Sequence, residues 1–474
     1  MASGTWSEFD IPERAGFYMR LKARALAAIR PGNRGTLAIP VRANWGPIKE
    51  VVKITSEADI LRYFGSDRGD FTAYKALRLA LVGQPRDILA YRLDDGSAKQ
   101  ANASVKNNEG AEVGTLRTKY PTEKPFNYSV QDDIVDSDLQ TLSLYEGTRR
   151  IYTVNFAKGD IEDFANVING DQTNEWVIFN KKNGAEGDIE NVANAPLSSG
   201  DAGVSGITNA DYIDAMQVFE TRKIHAFALD GVADSSLQTS VKAWVERLRS
   251  HGKKVIAYVG GSLDDTPSEA DERSKLFNSE GMVNATENAV FEGEWISSAF
   301  VACWAAGFCT GQQLSESPTH ADTPFTEIKP IRKHDEVLNG LRSGSFMLTY
   351  DDDENVIVEK GINTLTSLTD EQNNAWRFIK TVRIMDAIDL DLSAESHQKH
   401  TGKVPGNSDG HAAIISAYKN YFALISPTLV ASDYVVAIDE ELQRNAEGDQ
   451  LFWYWDARVI NNVERIYGTG HVRY

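Results

Sequence analysis

Two cysteines, Cys303 and Cys309, are all that the 474 residues contain. They stand six positions apart in an apolar stretch, a spacing that fits neither a CxxC redox pair nor a zinc knuckle, so buried, reduced thiols are expected. Long apolar runs are missing as well. No segment approaches the roughly 18 to 20 apolar residues of a membrane span, and residues 1–12 carry no positive flank ahead of an apolar stretch. No membrane insertion and no signal-peptide secretion are therefore expected. Positive charge is scarce: 49 Lys and Arg stand against 68 Asp and Glu, a formal balance of −19 that opposes general binding to nucleic-acid phosphates or anionic membranes. Catalytic signatures are scarce too, with no GxxxxGK[ST], no complete GxGxxG and no HExxH in the sequence. No catalytic residue, cofactor or metal ligand is assigned.

What is present is enough apolar material, 42% of positions, for several domains with their own cores. After an N-terminal arm that includes an extended Phe17–Leu21, the run Leu37–Val41 reads as a strand. Ser56-Glu-Ala-Asp59 is a capping box that opens a helix stopping at Gly65, and Thr72–Val82 is a second helix ending at Gly83. Strand Arg86–Leu93 follows. The same alternation resumes with helix Ala210–Thr221, strand Ile224–Leu229, helix Ser236–His251 and strand Lys254–Val259, the pattern of an α/β domain with a largely parallel sheet. Between these halves the texture changes to short runs such as Leu139–Tyr145 and Trp176–Phe179, parted by turns rich in Gly, Asn and Asp, which reads as an inserted β-rich domain. Further on come a helix at Asp335–Leu341, a hairpin of Phe346–Tyr350 and Val356–Glu359 around Asp351–Glu354, and helices over Thr369 to about His400 and Ser408–Ile425. Leu451–Trp455 and Arg458–Ile460 return to β-like sequence. Asn461–Ile466 fits one or two helical turns, and Tyr467–Tyr474 is left extended. The fold class is α/β and α+β multidomain: an N-terminal arm at 1–30, an α/β core domain at 31–93 and 207–330, an inserted β-rich domain at 94–206, a C-terminal α+β domain at 331–455 and a C-terminal arm at 456–474.

Three constellations invite a chemical reading, and each has a blander one. The strand and turn Val255–Ser262, with Gly260 and Gly261, could face an anion, yet a plain α/β turn fits better without the lysine and third glycine of the nucleotide motifs. Asp351–Glu354 offers carboxylates to calcium, but Val356 stands where a calcium loop needs glycine, so a solvated hairpin tip is expected. His397, His400 and His411 are near in sequence, and helix-end histidines explain them more simply than a zinc site. The extended ends are the more informative feature. Short β segments at chain termini either add to sheets of neighbouring subunits or fold back on their own domain.

An ordered set of segments, Arg34–Val41 with Asn44-Trp-Gly-Pro47, Glu280–Asn284, Lys360–Thr366, Trp376–Arg383 with Asp386-Ala-Ile388, Gly402-Lys-Val404 with Asn407, and Asn462–Tyr467, resembles the contractile tail sheath proteins of phages, defective prophages and tail-like particles. The resemblance covers most of the chain outside the inserted domain. It implies a structural, non-enzymatic subunit without cofactors, a homo-oligomer of stacked hexameric rings in a helical sheath that contracts and drives an inner tube through a target envelope. Its partners would be the tail tube protein and the baseplate and tail terminator proteins. The protein would be assembled in the bacterial host cytoplasm and reside in a virion tail or tail-like particle, with the inserted domain towards the outside. Arm contacts between subunits would fall on Phe17, Tyr18, Met19, Arg20 and Leu21, and on Tyr467, His471, Val472, Arg473 and Tyr474. The last segment departs from the family's alternating apolar strand, since Gly468–Tyr474 has two glycines and one aliphatic residue. An α/β enzyme with a site near Gly260 and Gly261, and a shell-forming structural protein, are the competing readings.

Overall fold

The computed structural model describes residues 2–4, 16–18 and 35–473. It divides into two compact units, one made of residues 1–32 and 387–460, the other of residues 33–386 and 461–474. In the first, β1 (Ala2–Gly4) and β2 (Gly16–Tyr18) pair in parallel.

The larger unit opens with β3 (Thr36–Val41), β4 (Val51–Ile54), α1 (Glu57–Tyr63), α2 (Ala73–Val82) and β5 (Asp87–Arg92). The capping box at Ser56 is present: its Oγ accepts the Asp59 N–H at 3.2 Å, and the Asp59 carboxylate accepts the Ser56 N–H at 3.0 Å. The inserted domain then runs through β6 (Asn102–Lys106), β7 (Glu112–Thr118), β8 (Phe126–Asp132), β9 (Leu139–Glu146), β10 (Arg149–Ala157), α3 (Ile161–Gly170), β11 (Val177–Lys181) and β12 (Val192–Pro196). Two antiparallel sheets, β10-β9-β8-β12 and β11-β7-β6, close over a core that includes Phe126, Leu142, Phe156, Phe164 and Phe179.

The α/β alternation returns as α4 (Asn209–Glu220), β13 (Ala226–Ala228), α5 (Ser235–Ser250), β14 (Ile256–Gly260), α6 (Pro267–Phe277) and β15 (Met282–Ala285). One six-stranded sheet results, ordered β15-β14-β13-β3-β5-β4, parallel except for β4. Successive residues of a strand face opposite sides, so Leu37, Ile39 and Val41 join one apolar core while Ala38 joins the other. That burial on both faces is why the strands read as continuous apolar runs. After β16 (Asn288–Phe291) and β17 (Glu294–Ile296) comes α7 (Ser298–Gly311), buried along nearly its whole length. It lies so close to α2 that a Cβ on Gly307 would stand 2.1 Å from the Ala80 carbonyl oxygen. Cys303 and Cys309 sit on this helix, unpaired and buried, and burial raises both thiol pKa values.

Next come β18 (Ile328–Lys329), α8 (His334–Ser343), the antiparallel hairpin of β19 (Leu348–Tyr350) and β20 (Val356–Val358), and α9 (Ile379–Glu395), which starts in the larger unit and ends in the other. The smaller unit continues with α10 (Ser408–Ile425), β21 (Val435–Ile438), α11 (Glu440–Gln443) and β22 (Trp453–Asp456). Two sequence expectations need correction. The helix expected from Thr369 begins only at Ile379, because Phe378 is extended (φ −90°, ψ 127°) and bridges Ile362, with a single 3-10 turn at Asn374–Arg377 before it. Asn461–Ile466 forms no helical turn. Its polar side chains are spent on other parts of the fold, which holds the backbone open.

Where the chain leaves for the inserted domain and where it comes back lie side by side: Lys99 N–H donates to the Asp201 carbonyl and Asp95 N–H to that of Gly203. Arg92, the last residue of β5, is fully buried there. Its guanidinium donates to the carbonyls of Gly46 at 2.7 Å, Pro121 at 3.0 Å and Ala202 at 2.9 Å. Burial pushes its pKa down to about 10, with Asp94 acting in the opposite sense. The segment Asn44-Trp-Gly-Pro47 completes the joint. Asn44 Oδ1 accepts from Thr122 Oγ1 and the Glu123 N–H, while Trp45 inserts among Tyr120, Phe126 and Trp176 of the inserted domain. Gly46 has φ +100°, and a Cβ there would lie 2.0 Å from the Tyr63 carbonyl oxygen, so no other residue fits.

A second buried network ties α6 to the segment entering α8. Arg332, its side chain 1% exposed, donates to Glu287 at 2.7 Å and to both oxygens of Asp271 at 2.9 and 2.8 Å. Ser345 Oγ and the Leu348 N–H supply further donors to these carboxylates.

Arg92→Met is expected to cost about 3 kcal/mol or more, since three buried carbonyls lose their donor. Limited proteolysis should then open cuts near 94–100 and 198–206 before any in the core sheet, and an unchanged cleavage pattern would contradict this role. Arg332→Met should cost roughly 3 to 5 kcal/mol in urea unfolding by leaving two carboxylates buried and unpaired, and more than replacing Arg332, Asp271 and Glu287 together by apolar residues.

Candidate functional site

The places where an α/β enzyme would act are filled by the protein's own groups. Strand order reverses between β3 and β13, so a ligand crevice would open at their carboxyl ends. There Asp230, fully buried, accepts from Arg42 Nε at 3.3 Å, from Tyr212 OH at 2.7 Å and from Thr72 Oγ1. Burial and the neighbouring Asp230 raise the Tyr212 pKa well above its ordinary value. The Gly260–Gly261 turn is plugged by the start of α7: the Gly261 N–H donates to Ser298 Oγ at 2.7 Å, the Ala299 N–H donates back to the Gly261 carbonyl at 3.1 Å, and Gln238 Nε2 caps Gly260 O at 2.6 Å. Among the described residues, no group of three or more His, Cys, Asp or Glu side chains is placed to hold a metal ion, and no helix is long and apolar enough to cross a membrane.

Two other features stand apart from these crevices. The first is the C-terminal segment within the larger unit. Thr381 Oγ1 donates to Asn461 Oδ1 at 2.9 Å, the Lys380 ammonium to Asn462 Oδ1 at 2.5 Å, and Thr319 Oγ1 to one oxygen of Glu464 at 2.8 Å, whose other oxygen lies 3.4 Å from Lys360 Nζ. Lys380 is buried, which lowers its pKa. Beyond this clasp, residues 465–473 have no regular structure and are exposed, Ile466, Tyr467 and Val472 at 89, 86 and 91%.

The clasp is made by segments that carry the family resemblance, Lys360–Thr366, Trp376–Arg383 and Asn462–Tyr467. Within Lys360–Thr366, the Gly361 N–H donates to Thr319 Oγ1, Asn363 Nδ2 to the Trp376 carbonyl and Thr364 Oγ1 to the Ser279 carbonyl, so this strip fixes the start of α9 and with it Lys380 and Thr381. Asp386 on the same helix is gripped by Arg249 in a two-toothed ion pair at 2.8 and 2.9 Å.

The second feature belongs to the smaller unit. β21 and β22 form an antiparallel ribbon with Val435 opposite Asp456 and Ile438 opposite Trp453, prolonged by the Val430–Val459 bridge. Among the described residues it gains no third strand, so each strand keeps one edge of backbone N–H and C=O groups unpaired in the sheet. Tyr418 and Phe422 of α10 stack on Trp453 and Trp455, which fixes the ribbon against its helix.

Of the residues singled out as arm contacts, Phe17 and Tyr18 lie in β2, while Met19, Arg20, Leu21 and Tyr474 fall outside the described residues. Tyr467, His471, Val472 and Arg473 lie in the exposed stretch after the clasp. Sequence reasoning did not single out Asn461, Asn462 and Glu464 as the anchor. Their signal was the segment Asn462–Tyr467 itself, where Asn462, Glu464 and Arg465 stand among Val463, Ile466 and Tyr467.

Comparison with known proteins matches this architecture segment by segment. Residues 34–93 match the family model of the tail sheath protein Gp18 domain III N-terminal region, 94–202 the phage tail sheath protein beta-sandwich domain, 205–364 the phage tail sheath protein central domain and 371–473 the phage tail sheath C-terminal domain. The uncharacterized protein YqbK of Bacillus subtilis is 26% identical over 497 aligned positions, covering 100% of both chains. The phage-like element PBSX protein XkdK of the same organism is 24% identical, covering 98% of this chain and 99% of its own. The crystal structure of a sheath tail protein from Desulfitobacterium hafniense shares the fold, with a TM-score of 0.70 at 22% identity over 94% of this chain and 100% of that one. The chain belongs to the phage tail sheath family, the structural subunits from which the helical, contractile sheath around a tail tube is built.

Proposed function

We propose that copies of this chain join into stacked hexameric rings through their ends, extended segments of one copy adding strands to the β21–β22 ribbon of its neighbours. The observation that carries this reading is the C-terminal stretch, clasped at its root and then holding Ile466, Tyr467 and Val472 in water. Exposed apolar side chains on a segment without internal pairing are stabilised by burial in a partner, and a two-stranded ribbon offers main-chain groups to receive it. Arm contacts fall on Phe17, Tyr18, Met19, Arg20 and Leu21 at one end and on Tyr467, His471, Val472, Arg473 and Tyr474 at the other. Main-chain hydrogen bonds of this kind persist while side-chain interfaces repack. The sheath is then assembled in a metastable packing around a rigid tube and moves whole subunits to a lower-energy packing on firing, without nucleotide. The tail tube protein lies inside, baseplate and tail terminator proteins at the two ends, and the inserted domain faces outward. Assembly takes place in the cytoplasm of a bacterial host, and the chain's role is mechanical, not catalytic.

Negative-stain electron microscopy of the purified protein at rising concentration tests this: hollow helical tubes are expected, and monodisperse particles that persist with tube protein added would overturn it. Deleting Gly468–Tyr474 should abolish tubes while leaving the circular dichroism melt of the monomer unchanged, and efficient assembly of that truncation would refute strand addition by this arm. At the clasp, Asn462→Ala should cost about 1 to 3 kcal/mol in urea unfolding because the buried Lys380 loses its acceptor, whereas Lys380→Met should cost less. Equal midpoints for the two variants would show that the clasp does not hold the segment.

A further inference from the structure

Against a net charge of −19, one hollow of this protein is lined with positive charge. A cavity of about 370 Å³ lies between α8, the Lys360–Ile362 strip, the turn before α9 and the chain just past the clasp, and Arg342, Lys360, Arg377 and Arg465 all line it beside Asn374 and Phe378. Like charges gathered this closely repel one another and are tolerated where an anion joins them. The protein supplies little of that. Lys360 has Glu464 at 3.4 Å and lies over the Phe378 ring, Arg377 spends Nε and one terminal nitrogen on the carbonyls of Leu365 and Leu341, and Arg342 reaches only the amide oxygen of Asn339 at 3.5 Å. Arg465 has no carboxylate partner among the described residues.

The same chain carries a matching group elsewhere. At the tip of the β19–β20 hairpin, Asp351 is consumed by the turn: its carboxylate accepts the N–H groups of Asp353 at 2.9 Å and Asn355 at 2.8 Å and the Asn355 side-chain amide at 3.1 Å. The next three carboxylates, Asp352, Asp353 and Glu354, are exposed and have no cation beside them among the described residues. The other acidic tip, between β8 and β9, is less available, with Asp132 paired to Lys158 and Asp133 and Asp136 bonded to backbone N–H groups of their own loop. From Glu354 to Lys360 the chain runs along β20, roughly 20 Å at strand spacing, so the β19–β20 tip cannot turn back into the hollow.

We infer that the acidic tip Asp351–Glu354 of one copy docks in the Arg342, Lys360, Arg377 and Arg465 hollow of the next. Tip and hollow are different surfaces, so the contact is head-to-tail and propagates into rings or helices instead of closing as a pair. Complementary charge of this kind sets orientation and speeds encounter more than it adds affinity. The inference rests on self-assembly of the chain, but not on strand addition by its arms.

A charge exchange tests it. Arg342→Glu with Arg465→Glu reverses two exposed cations of the hollow, and Asp352→Lys with Asp353→Lys reverses the tip. Each pair alone should lower the yield of sedimentable tubes about tenfold, with an unchanged urea midpoint, and the chain carrying all four substitutions should regain most of it. Wild-type yield from either reversal, or a fourfold variant no better than its parents, overturns the docking. Should wild-type protein itself form no tubes, self-assembly fails and the docking with it. Wild-type tubes without rescue remove the docking alone.

Discussion

A single buried guanidinium governs how the larger unit is joined. Arg92 closes β5, and with no carboxylate in contact among the described residues its charge is met by the carbonyls of Gly46, Pro121 and Ala202. Those oxygens come from the loop after β3, from inside the inserted domain and from the returning chain, so one side chain measures three separations at once. Everything around it is shaped by that demand: Gly46 must take a positive φ to turn its carbonyl inward, and Trp45 is thereby aimed into the aromatic group of Tyr120, Phe126 and Trp176. A buried charge satisfied by backbone dipoles is costly to form and fixes geometry in return.

The clasp at the other end works by the opposite economy. Its bonds join side chains to a strip of chain with no secondary structure, and they stop at Glu464. A rigid root and a free end are thus set within a few residues of each other. The strand addition proposed for this segment suits that division, since a linker between copies is best fixed where it leaves the body and unconstrained where it meets its partner.

Much of this was legible in the sequence. The core strands announced themselves because burial on both faces demands unbroken apolar runs, and Ser56-Glu-Ala-Asp59 marked a helix start because free amides there need acceptors. The α3 helix was passed over because the short β-like runs and Gly-, Asn- and Asp-rich turns around it set the texture of its domain, although Asp160 caps it much as Ser56 caps α1. Helical spacing misled at Thr369–Phe378, where the bridge from Phe378 to Ile362 overrides local preference. The clasp was invisible as geometry. Lys380 and Asn462 are 82 positions apart, and nothing local to either says that one buried ammonium requires the other's amide. Nor does composition show that Arg342, Lys360, Arg377 and Arg465 share a hollow, because an overall acidic chain hides a local basic cluster.

The side-by-side exit and return of the inserted domain has a further consequence. Because Lys99 meets Asp201 and Asp95 meets Gly203, the sandwich hangs from the core sheet by what amounts to a two-strand stalk. A module attached in this way can lengthen, shorten or be exchanged for another without changing the path of the core, provided its two ends arrive at the same spacing. Only the residues at the stalk and those that meet Asn44, Trp45 and Arg92 are tied closely to the core, and the surface beyond them is free to diversify.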